Sequence, residues 1–269
     1  MPGASRWLDA WIVVEKGALI ATGQTAMLLP PPASLLAGAS LFLDFDGTLV
    51  DLMDRPDDVT ADDALRDLLA RLNVRLGGRL AVISGRSIAQ LDAMLGPVAG
   101  EVALSGSHGC EHRWKGISAQ PHRPPTLDRA AERLRPFAGD FPGALVEEKS
   151  YGVALHYRMC PEAEKEAVEL AWHVARDLEL DLQGGKMMIE LRVPGGDKGA
   201  AVRRMMKLAP MKGTAPVFIG DDRTDEHGFE AAAELGGAGI FVGERRETAA
   251  RYLLASPAAV RMWLERALA

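Results

Sequence analysis

The stretch Leu41-Phe42-Leu43-Asp44-Phe45-Asp46-Gly47-Thr48-Leu49 decides how the rest of the chain is interpreted. It is an apolar β-type run that delivers two carboxylates and then a glycine. Residues two apart in a strand share a face, so Asp44 and Asp46 are expected to emerge together at the strand's carboxyl end, where open α/β sheets bind ligands. Two anions this close repel each other unless a cation lies between them. The segment predicts a hard-metal site or an acid beside a nucleophile, with a simple acidic Asp-Gly turn as the alternative.

The bulk composition describes a globular chain with an acidic balance. The 269 residues carry a formal net charge of −6, which argues against a nucleic-acid partner bound through a basic surface. No uninterrupted apolar run reaches the roughly 20 residues that a membrane-spanning helix needs, so no membrane association is expected. The two cysteines, Cys110 and Cys160, are too few for a disulfide framework. A cytoplasmic location is therefore predicted.

Strand and helix patterns alternate through the first part of the chain. β-type runs at 41–45, 79–83 and 102–104 are separated by helical patterns at 61–76 and 87–95. This βαβαβ order predicts a parallel sheet with right-handed crossovers. The rhythm resumes from Asp197 with a helix at 198–208, a strand at 216–219, another helix, a strand at 240–242 and C-terminal helices.

The segment between these two parts has a different order. Its patterns are a helix around 127–134, β-runs at 144–149 and 151–158, a helix at 161–179, and β-runs at 180–183 and 186–192. The short links predict antiparallel hairpins, and Gly184-Gly185 predicts the turn of the second one. The sequence therefore predicts an α+β unit of order αββαββ inserted in an α/β host. The expected domains are an N-terminal arm of unknown role at 1–38, a core at 39–112 and 194–269, and a cap at 113–193.

Four segments are expected at the carboxyl edge of the parallel sheet. They are Asp44-Phe45-Asp46-Gly47-Thr48, Ser84-Gly85-Arg86, Lys198 and Asp221-Asp222. Together they supply what phosphoryl transfer requires, because a phosphate monoester is a dianion and a carboxylate nucleophile approaches it only when charge is offset. The same segments therefore predict a phosphate-handling site.

Each residue type in this set has a chemical reason to be there. Asp44 and Asp221 can hold a magnesium ion, which prefers oxygen ligands, and Lys198 adds a positive charge. The Ser84 hydroxyl, with backbone amides near Gly47 and Gly85, can bind the oxygens of the transferring group. Asp46 can protonate the leaving alcohol and later activate water.

The order of these segments resembles the phosphatases of the haloacid dehalogenase superfamily, from Phe42 to about Val242. The resemblance implies a Rossmann-like parallel-sheet core in which Asp44 is the nucleophile and forms an aspartyl phosphate. It implies that Asp46 is the general acid and base, and that Ser84 and Lys198 stabilise the phosphoryl group. It also implies a magnesium ion held by the Asp44 side chain, the Asp46 backbone carbonyl and Asp221, with Asp222 or Asp225 in close support.

Further motifs resemble the trehalose-6-phosphate phosphatase family, whose inserted domain is a type IIB cap. They are Gly106-Ser107-His108-Gly109, Glu147-Glu148-Lys149, His156-Tyr157-Arg158, Glu190-Leu191-Arg192, Gly196-Asp197-Lys198-Gly199 and Gly220-Asp221-Asp222-Arg223-Thr224-Asp225-Glu226. The resemblance implies that the following residues bind the substrate: Thr48, Gly85, Arg86, Glu147, Lys149, Arg158, Lys186 and Glu190. Charged pairs on one strand face offer the donors and acceptors that a sugar requires, although such alternation is also typical of a solvated sheet face.

The resemblance implies hydrolysis of trehalose 6-phosphate to trehalose and phosphate, the last step of trehalose biosynthesis. It also implies a functional link to a trehalose-phosphate synthase. Phosphotransfer to an acceptor other than water would share the same intermediate. Two further alternatives stay open. One is another capped sugar phosphatase, acting on sucrose phosphate or a glyceryl-sugar phosphate. The other is a catalytically silent phosphosugar-binding partner of a synthase, against which the intact Asp44, Asp46, Lys198 and Asp221 argue.

Two other polar groups predict less. His108, His112 and His122 do not have the spacing of a zinc site, and His108 is expected to form hydrogen bonds near the active site or the domain junction. Arg245 and Arg246, which lie beside Glu244 and Glu247, indicate a solvated charge cluster.

Overall fold

The computed structural model describes residues 28–52, 59–114, 117–119, 122–185 and 187–268, with only the backbone described at 117–119. These residues form two compact units. The core unit comprises 28–123 and 195–269, and the inserted unit comprises 124–194. No helix within the described ranges is long and apolar enough to cross a membrane. Lys186 and the first 27 residues of the predicted arm lie outside the described residues.

The elements follow one another in the order that the patterns predict, with three additional strands. The strands are β1 (Ser40–Leu43), β2 (Leu80–Ile83), β3 (Ala103–Gly106), β4 (Glu111–Trp114), β5 (Ile117–Ala119), β6 (Leu145–Lys149), β7 (Gly152–His156), β8 (Asp181–Gly185), β9 (Met188–Arg192), β10 (Pro216–Gly220), β11 (Ala238–Val242) and β12 (Tyr252–Leu254). The α-helices are α1 (Asp63–Arg75), α2 (Ile88–Leu95), α3 (Pro125–Asp140), α4 (Glu164–Leu178), α5 (Lys198–Met205), α6 (Glu226–Glu234) and α7 (Pro257–Leu268). The strands that the patterns did not predict are β4, β5 and β12.

The core unit is built on one mixed sheet with the strand order β12-β11-β10-β1-β2-β3-β4-β5. The strands from β12 to β3 pair in parallel, and β4 and β5 continue the sheet antiparallel. The α/β fold class predicted from the sequence is confirmed. Because β1 lies between β10 and β2, the residues that follow these three strands meet at one edge of the sheet.

Apolar side chains cover both faces of this sheet, which explains why its central strands are continuous hydrophobic runs. Leu41 and Leu43 of β1 point to one face, where they join a buried cluster with α1, α2 and α7. Phe42 points to the other face and packs with Phe218 against α5 and α6. The core is therefore a three-layer sandwich that holds the carboxyl edge of the sheet rigidly.

The last part of the predicted N-terminal arm belongs to the core unit. A 3₁₀ turn at Ala33–Leu36 buries Leu36 in the cluster shared with α7. The indole nitrogen of Trp263 donates a hydrogen bond of 3.0 Å to the carbonyl of Pro31. Residues 28–38 therefore contribute to the packing of the core unit.

The inserted unit has the predicted αββαββ order. Its sheet is antiparallel, with the strand order β6-β7-β9-β8. Val153 and Leu155 of β7 and Leu191 of β9 point to the face that α3 and α4 cover. The alternate residues of the same strands therefore line the opposite face.

The structure differs from the predicted boundary of the insert at its first residue. The predicted cap began at 113, whereas the inserted unit begins at Pro124, because β4 and β5 pair with the core sheet through β3. The sequence of β4, Glu-His-Arg-Trp, has no apolar alternation, so no strand was predicted there. Arg113 of this strand forms an ion pair with Asp92 of α2.

The second hairpin of the insert also turns at a different place from the predicted Gly184-Gly185. Both glycines belong to β8, and Gly185 pairs with Met188. The turn therefore includes Met187, which has a φ of +60°. A side chain on Gly185 would come within 2.9 Å of the Met188 side chain, so the glycine allows this close pairing rather than the turn itself.

Candidate active site

A buried lysine joins two carboxylates at the carboxyl edge of the core sheet. Asp44 follows β1 directly, and its backbone N–H donates to the carbonyl of Ile219 in β10 over 2.9 Å. The Lys198 Nζ atom lies 2.8 Å from Asp44 Oδ1 and 2.6 Å from Asp225 Oδ1. All three side chains are buried, with residue exposures of 4% or less. The structure therefore brings together two of the predicted catalytic residues, Asp44 and Lys198.

Lys198 reaches this position because it opens α5. The side chain of Asp197 caps the helix by accepting a hydrogen bond of 2.6 Å from the N–H of Ala200. Burial alone would lower the pKa of Lys198, but the charges of Asp225 and Asp44, together with their hydrogen bonds, outweigh it and raise that pKa. Lys198 is thus a permanent positive charge beside Asp44.

Asp221 lies beside these groups, above the turn that follows β1. The Thr48 hydroxyl donates a hydrogen bond of 3.1 Å to Asp221 Oδ1. A Cβ atom on Gly47 would lie 2.1 Å from Asp221 Oδ2, and Gly47 has a φ of +75°. Both facts require glycine at this position. Thr48 thus contacts Asp221 in the structure, and its predicted role in substrate binding stays a prediction.

Asp44, Asp221 and Asp225 form a cluster whose ligand oxygens all lie within 4.8 Å of one another. Burial raises the pKa of Asp44 well above its usual value, and Asp225 raises it further while Lys198 opposes the shift. Burial and the charge of Asp225 also raise the pKa of Asp221 to about 6. Three carboxylates beside one lysine leave excess negative charge, so this donor set fits a hard divalent cation.

The family resemblance implies that either Asp222 or Asp225 supports the metal site, and the two residues differ clearly in the structure. Asp225 is fully buried, and its Oδ2 atom accepts hydrogen bonds from the backbone N–H groups of Asp221 and Asp222, at 3.0 and 2.9 Å. The exposed Asp222 side chain accepts a hydrogen bond from the N–H of Arg223. Asp225, and not Asp222, therefore belongs to the cluster.

Asp46 is held by Arg86. The Arg86 Nε atom donates to Asp46 Oδ2 over 2.7 Å, and Nη2 donates to Oδ1 over 2.6 Å, which makes a bidentate pair. Arg86 is buried, whereas about a quarter of the Asp46 side chain is exposed. Arg86 was predicted to bind substrate, but in the structure two of its donors are engaged with Asp46.

Ser84 and Gly85 lie between this pair and a strained loop. The Ser84 hydroxyl accepts a hydrogen bond of 3.1 Å from the N–H of Arg86. A Cβ atom on Gly85 would lie 2.6 Å from His108 Nε2, so the imidazole packs on the glycine backbone. Ser107 and His108 both have positive φ angles, of 48° and 55°. His108 was expected near the active site or the domain junction, on the strength of its Gly-Ser-His-Gly motif, but the sequence assigned it no catalytic or binding role.

The loop that carries His108 is anchored by a buried acid. Glu111 accepts a hydrogen bond of 2.5 Å from the Ser107 hydroxyl and one of 3.4 Å from the N–H of Ile88. Both contacts restrain the loop. They hold it in a conformation in which Ser107 and His108 occupy the left-handed region, which is costly for residues other than glycine. Such strain is typical of functional loops.

In the inserted unit, several predicted substrate residues share the sheet face opposite the helices. Glu147, Ala154, Glu190 and Gln183 are aligned across β6, β7, β9 and β8 in the register of the strands. The ammonium group of Lys149 lies 3.0 Å from Glu190 Oε2 and 3.9 Å from Glu147 Oε2. We call this surface the charged face, and define it by Glu147, Lys149, Ala154, Gln183 and Glu190.

Two features of the charged face were not predicted. His156 Nε2 lies 2.8 Å from Glu147 Oε2, and this hydrogen bond lowers the pKa of Glu147. A Cβ atom on Gly152 would lie 2.4 Å from Glu190 Oε1, so the carboxylate rests on the bare backbone of β7. Arg158 follows β7 in an exposed turn. Lys186 lies outside the described residues.

Comparison with known proteins identifies the family. Residues 42–258 match the trehalose-phosphatase family. The chain is 37% identical over 234 residues to the trehalose-6-phosphate phosphatase of Escherichia coli (strain K12), which covers 86% of this chain and 87% of that protein. A crystal structure of a trehalose-6-phosphate phosphatase related protein is similar with a TM-score of 0.68 and 31% identity, over 84% of this chain and 95% of that one.

The fold is also that of a wider superfamily. The structure of BT1666 from Bacteroides thetaiotaomicron, a phosphatase of the haloalkanoate (HAD) superfamily, matches with a TM-score of 0.59 over 88% of this chain and 96% of that chain. Its sequence identity is only 15%, so this likeness concerns the fold alone. The family match, by contrast, covers both the core unit and the inserted unit. The chain belongs to the trehalose-phosphatase family.

Proposed function

We propose that this protein is a magnesium-dependent phosphatase that hydrolyses trehalose 6-phosphate to trehalose and phosphate. The observation that carries the proposal is the buried Lys198, which lies 2.8 Å from the carboxylate of Asp44 in a cluster with Asp221 and Asp225. The membership in the trehalose-phosphatase family supports the choice of substrate.

In the first step, an oxygen of Asp44 attacks the phosphorus atom and the bond from phosphorus to the sugar oxygen breaks. Lys198 keeps its positive charge beside Asp44, so it offsets the repulsion between the carboxylate and the dianionic ester. Asp46 donates a proton to the departing sugar oxygen. The product of the step is a phosphoryl group on Asp44.

In the second step, water replaces Asp44 on phosphorus. Asp46, now ionised, accepts a proton from the attacking water, and the Asp44 carboxylate is released. The bidentate contact with Arg86 fixes the orientation of the Asp46 carboxylate. Ser84, beside Arg86, is proposed to hold the phosphoryl oxygens together with the backbone of Gly85.

The cluster of carboxylates is proposed to hold Mg²⁺. Asp44, Asp221 and the Asp46 backbone carbonyl would bind it, with Asp225 orienting Lys198 and the backbone of Asp221. When bound, the cation offsets the charge of the carboxylates and of the phosphoryl group. The donor set fits Mg²⁺, which prefers oxygen ligands. Three carboxylates converge here, and the charge of Lys198 does not balance all of them.

The charged face of the inserted unit is proposed to recognise the sugar. Glu147 and Glu190 can accept hydrogen bonds from sugar hydroxyls, and Lys149 can donate to sugar oxygens. The family resemblance adds Arg158 and Lys186 to this set.

A substrate panel tests this function. Phosphate release is measured with trehalose 6-phosphate, sucrose 6-phosphate, a glyceryl-sugar phosphate and glucose 6-phosphate, each with Mg²⁺ and with a chelator. We expect the highest kcat/KM for trehalose 6-phosphate and loss of activity with the chelator. Preference for another sugar phosphate would support the alternative of a different capped sugar phosphatase. No phosphate release from any of them would support the silent binding partner.

The cellular setting is proposed from the same chemistry. Cys110 and Cys160 do not form a disulfide with each other, which supports a reducing cytoplasmic location. A substrate of this kind has to be supplied by an enzyme that forms trehalose phosphate, so a functional link to a trehalose-phosphate synthase follows. The acidic net charge supports the absence of a nucleic-acid partner.

A further inference from the structure

Arg246 lies in the loop after β11 and reaches back to the acidic loop, which we define as residues 221–226. Its guanidinium group lies 2.7 Å from Glu226 Oε1. Its Nη2 atom donates a hydrogen bond of 2.9 Å to the backbone carbonyl of Asp222. The same group stacks over the Phe241 ring at 4.5 Å from the centroid. The sequence pattern had indicated that Arg246 belongs to a solvated charge cluster. In the structure, these contacts hold it against the acidic loop.

Glu226 ties the two loops together from the other side. Its Oε2 atom accepts a hydrogen bond of 3.1 Å from the Thr248 hydroxyl and one of 2.8 Å from the N–H of Ala249. The neighbouring Arg245 is exposed. One of two adjacent arginines is thus built into a network, and the other provides a natural control.

The network fixes the backbone next to a proposed metal ligand. The N–H of Asp222 donates to Asp225 over 2.9 Å, and its carbonyl accepts from Arg246 over 2.9 Å. Asp221 directly precedes this residue. Repulsion among the carboxylates of Asp44, Asp221 and Asp225, which Lys198 only partly offsets, favours displacement of the acidic loop when no cation is bound. A restraint on the Asp222 peptide opposes that displacement.

We propose that Arg246 is a positioning residue that holds the acidic loop in the shape required for cation binding. The proposal rests on the proposed function in that the cation is Mg²⁺. Groups that orient metal ligands typically contribute about 10–100-fold to metal affinity. Arg246 acts through the backbone of Asp222 and through Glu226, and it touches neither the substrate nor the reacting atoms.

The direction in which Mg²⁺ affinity changes when Arg246 is replaced separates a positioning role from a purely electrostatic one. Removing a positive charge near a cation site strengthens cation binding if charge alone matters. Removing a restraint on the loop weakens it. Arg246→Ala and Arg245→Ala remove the same charge from adjacent positions, but only the first breaks the contacts with Asp222 and Glu226.

The experiment measures Mg²⁺ binding to the full-length chain without substrate, by calorimetric titration and by the Mg²⁺-dependent rise in Tm. We expect about tenfold weaker binding for Arg246→Ala and for Glu226→Gln, and no additive loss in the double variant. Arg246→Lys keeps the charge but cannot make both contacts, so it should also weaken binding, and it carries the test if Arg246→Ala does not fold. Arg245→Ala should bind Mg²⁺ as the wild type does or more tightly.

Three results would overturn the proposal: unchanged or tighter binding in folded Arg246 variants, equal weakening in Arg245→Ala, or no Mg²⁺ binding by the wild type. Phosphate release from trehalose 6-phosphate is measured separately. A wild-type protein that binds Mg²⁺ but releases no phosphate contradicts the proposed function, whereas the calorimetric data still decide the role of Arg246.

Discussion

At the level of single residues, the site depends on a lysine that is almost completely buried. Lys198 is 3% exposed and contacts Asp44 and Asp225, so a buried positive charge is balanced by two buried carboxylates. Breaking such a group by removing one partner is costly, because it leaves an uncompensated charge in the interior. Asp225 accepts hydrogen bonds from Lys198, Asp221 and Asp222. It therefore couples the position of the lysine to that of the acidic loop.

Arg86 is a site residue whose role in substrate binding stays a prediction. It was predicted to bind the substrate, yet its guanidinium forms a bidentate pair with Asp46. Lysine cannot reproduce this planar geometry. We predict that Arg86→Lys lowers kcat by about 10–100-fold and leaves KM nearly unchanged, since the residue orients a group that acts in the transition state.

Steady-state kinetics with trehalose 6-phosphate measure both constants for this variant. A large rise in KM with an unchanged kcat would show instead that Arg86 binds the phosphate directly. Thermal unfolding in the presence of Mg²⁺ serves as the control that the variant is folded.

At the level of secondary structure, successive side chains of β6 point to opposite faces of the sheet, so the neighbouring Glu147 and Glu148 have different surroundings. Glu147 lies on the charged face with His156 and Lys149. Glu148 lies on the other face, where it pairs with Arg135 of α3 at 2.5 Å. The two side chains differ by one position in sequence and by the side of the sheet they occupy.

We predict that Glu147→Gln raises KM for trehalose 6-phosphate about tenfold, because a hydrogen bond to a charged group is lost from the sugar site. Glu148→Gln should leave KM unchanged, since its partner Arg135 lies on the helical side. Kinetics with a small phosphate ester lacking the sugar should show no effect of either change. Equal effects of the two substitutions on KM would contradict the assignment of the faces.

The polar strand β4 provides a prediction on pH. His112 is buried, and burial followed by the charge of Arg204 lowers its pKa from 6.5 to about 4. The unfolded chain therefore binds a proton at this residue more readily than the folded chain does. The stability that depends on neutral His112 is complete above pH 6.5 and is lost as the pH falls towards 4.

We predict that replacing His112 by leucine removes this part of the pH dependence, on the order of 3 kcal/mol between those limits. The free energy of unfolding of both proteins in denaturant, measured at several pH values, provides the comparison. Parallel curves for wild type and variant from pH 7 to pH 4 would show that His112 does not titrate in this way.

For the molecule taken together, the sequence predicted correctly those elements that follow from the local spacing of apolar residues and from short links. The apolar runs that form β1, β2 and β10 predicted the parallel sheet, because such strands are buried on both faces. The order of strands in the chain placed Asp44, Lys198 and Asp221 at one edge. The helical stripes and short links of the insert predicted its αββαββ order.

The parts that were not predicted depend on contacts distant in sequence. β4 lacks an apolar period and is a strand only because β3 offers it a pairing edge. The pairing of Asp46 with Arg86 spans 40 positions, and a bidentate geometry leaves no trace in spacing. Arg246 and Arg245 are equivalent in the sequence, and only the fold distinguishes them. Long-range ion pairs are therefore the main limit of sequence reasoning for this site.

The proposed mechanism requires that Asp44 becomes phosphorylated during turnover. The most direct test mixes enzyme rapidly with trehalose 6-phosphate radiolabelled on phosphorus, quenches with acid, and measures the label that remains on the protein and on the peptide containing Asp44. Label is expected on the wild type and not on Asp44→Asn, which should lose at least about 10⁴-fold in kcat. Turnover by Asp44→Asn at the wild-type rate, or label on a different residue, would contradict the account.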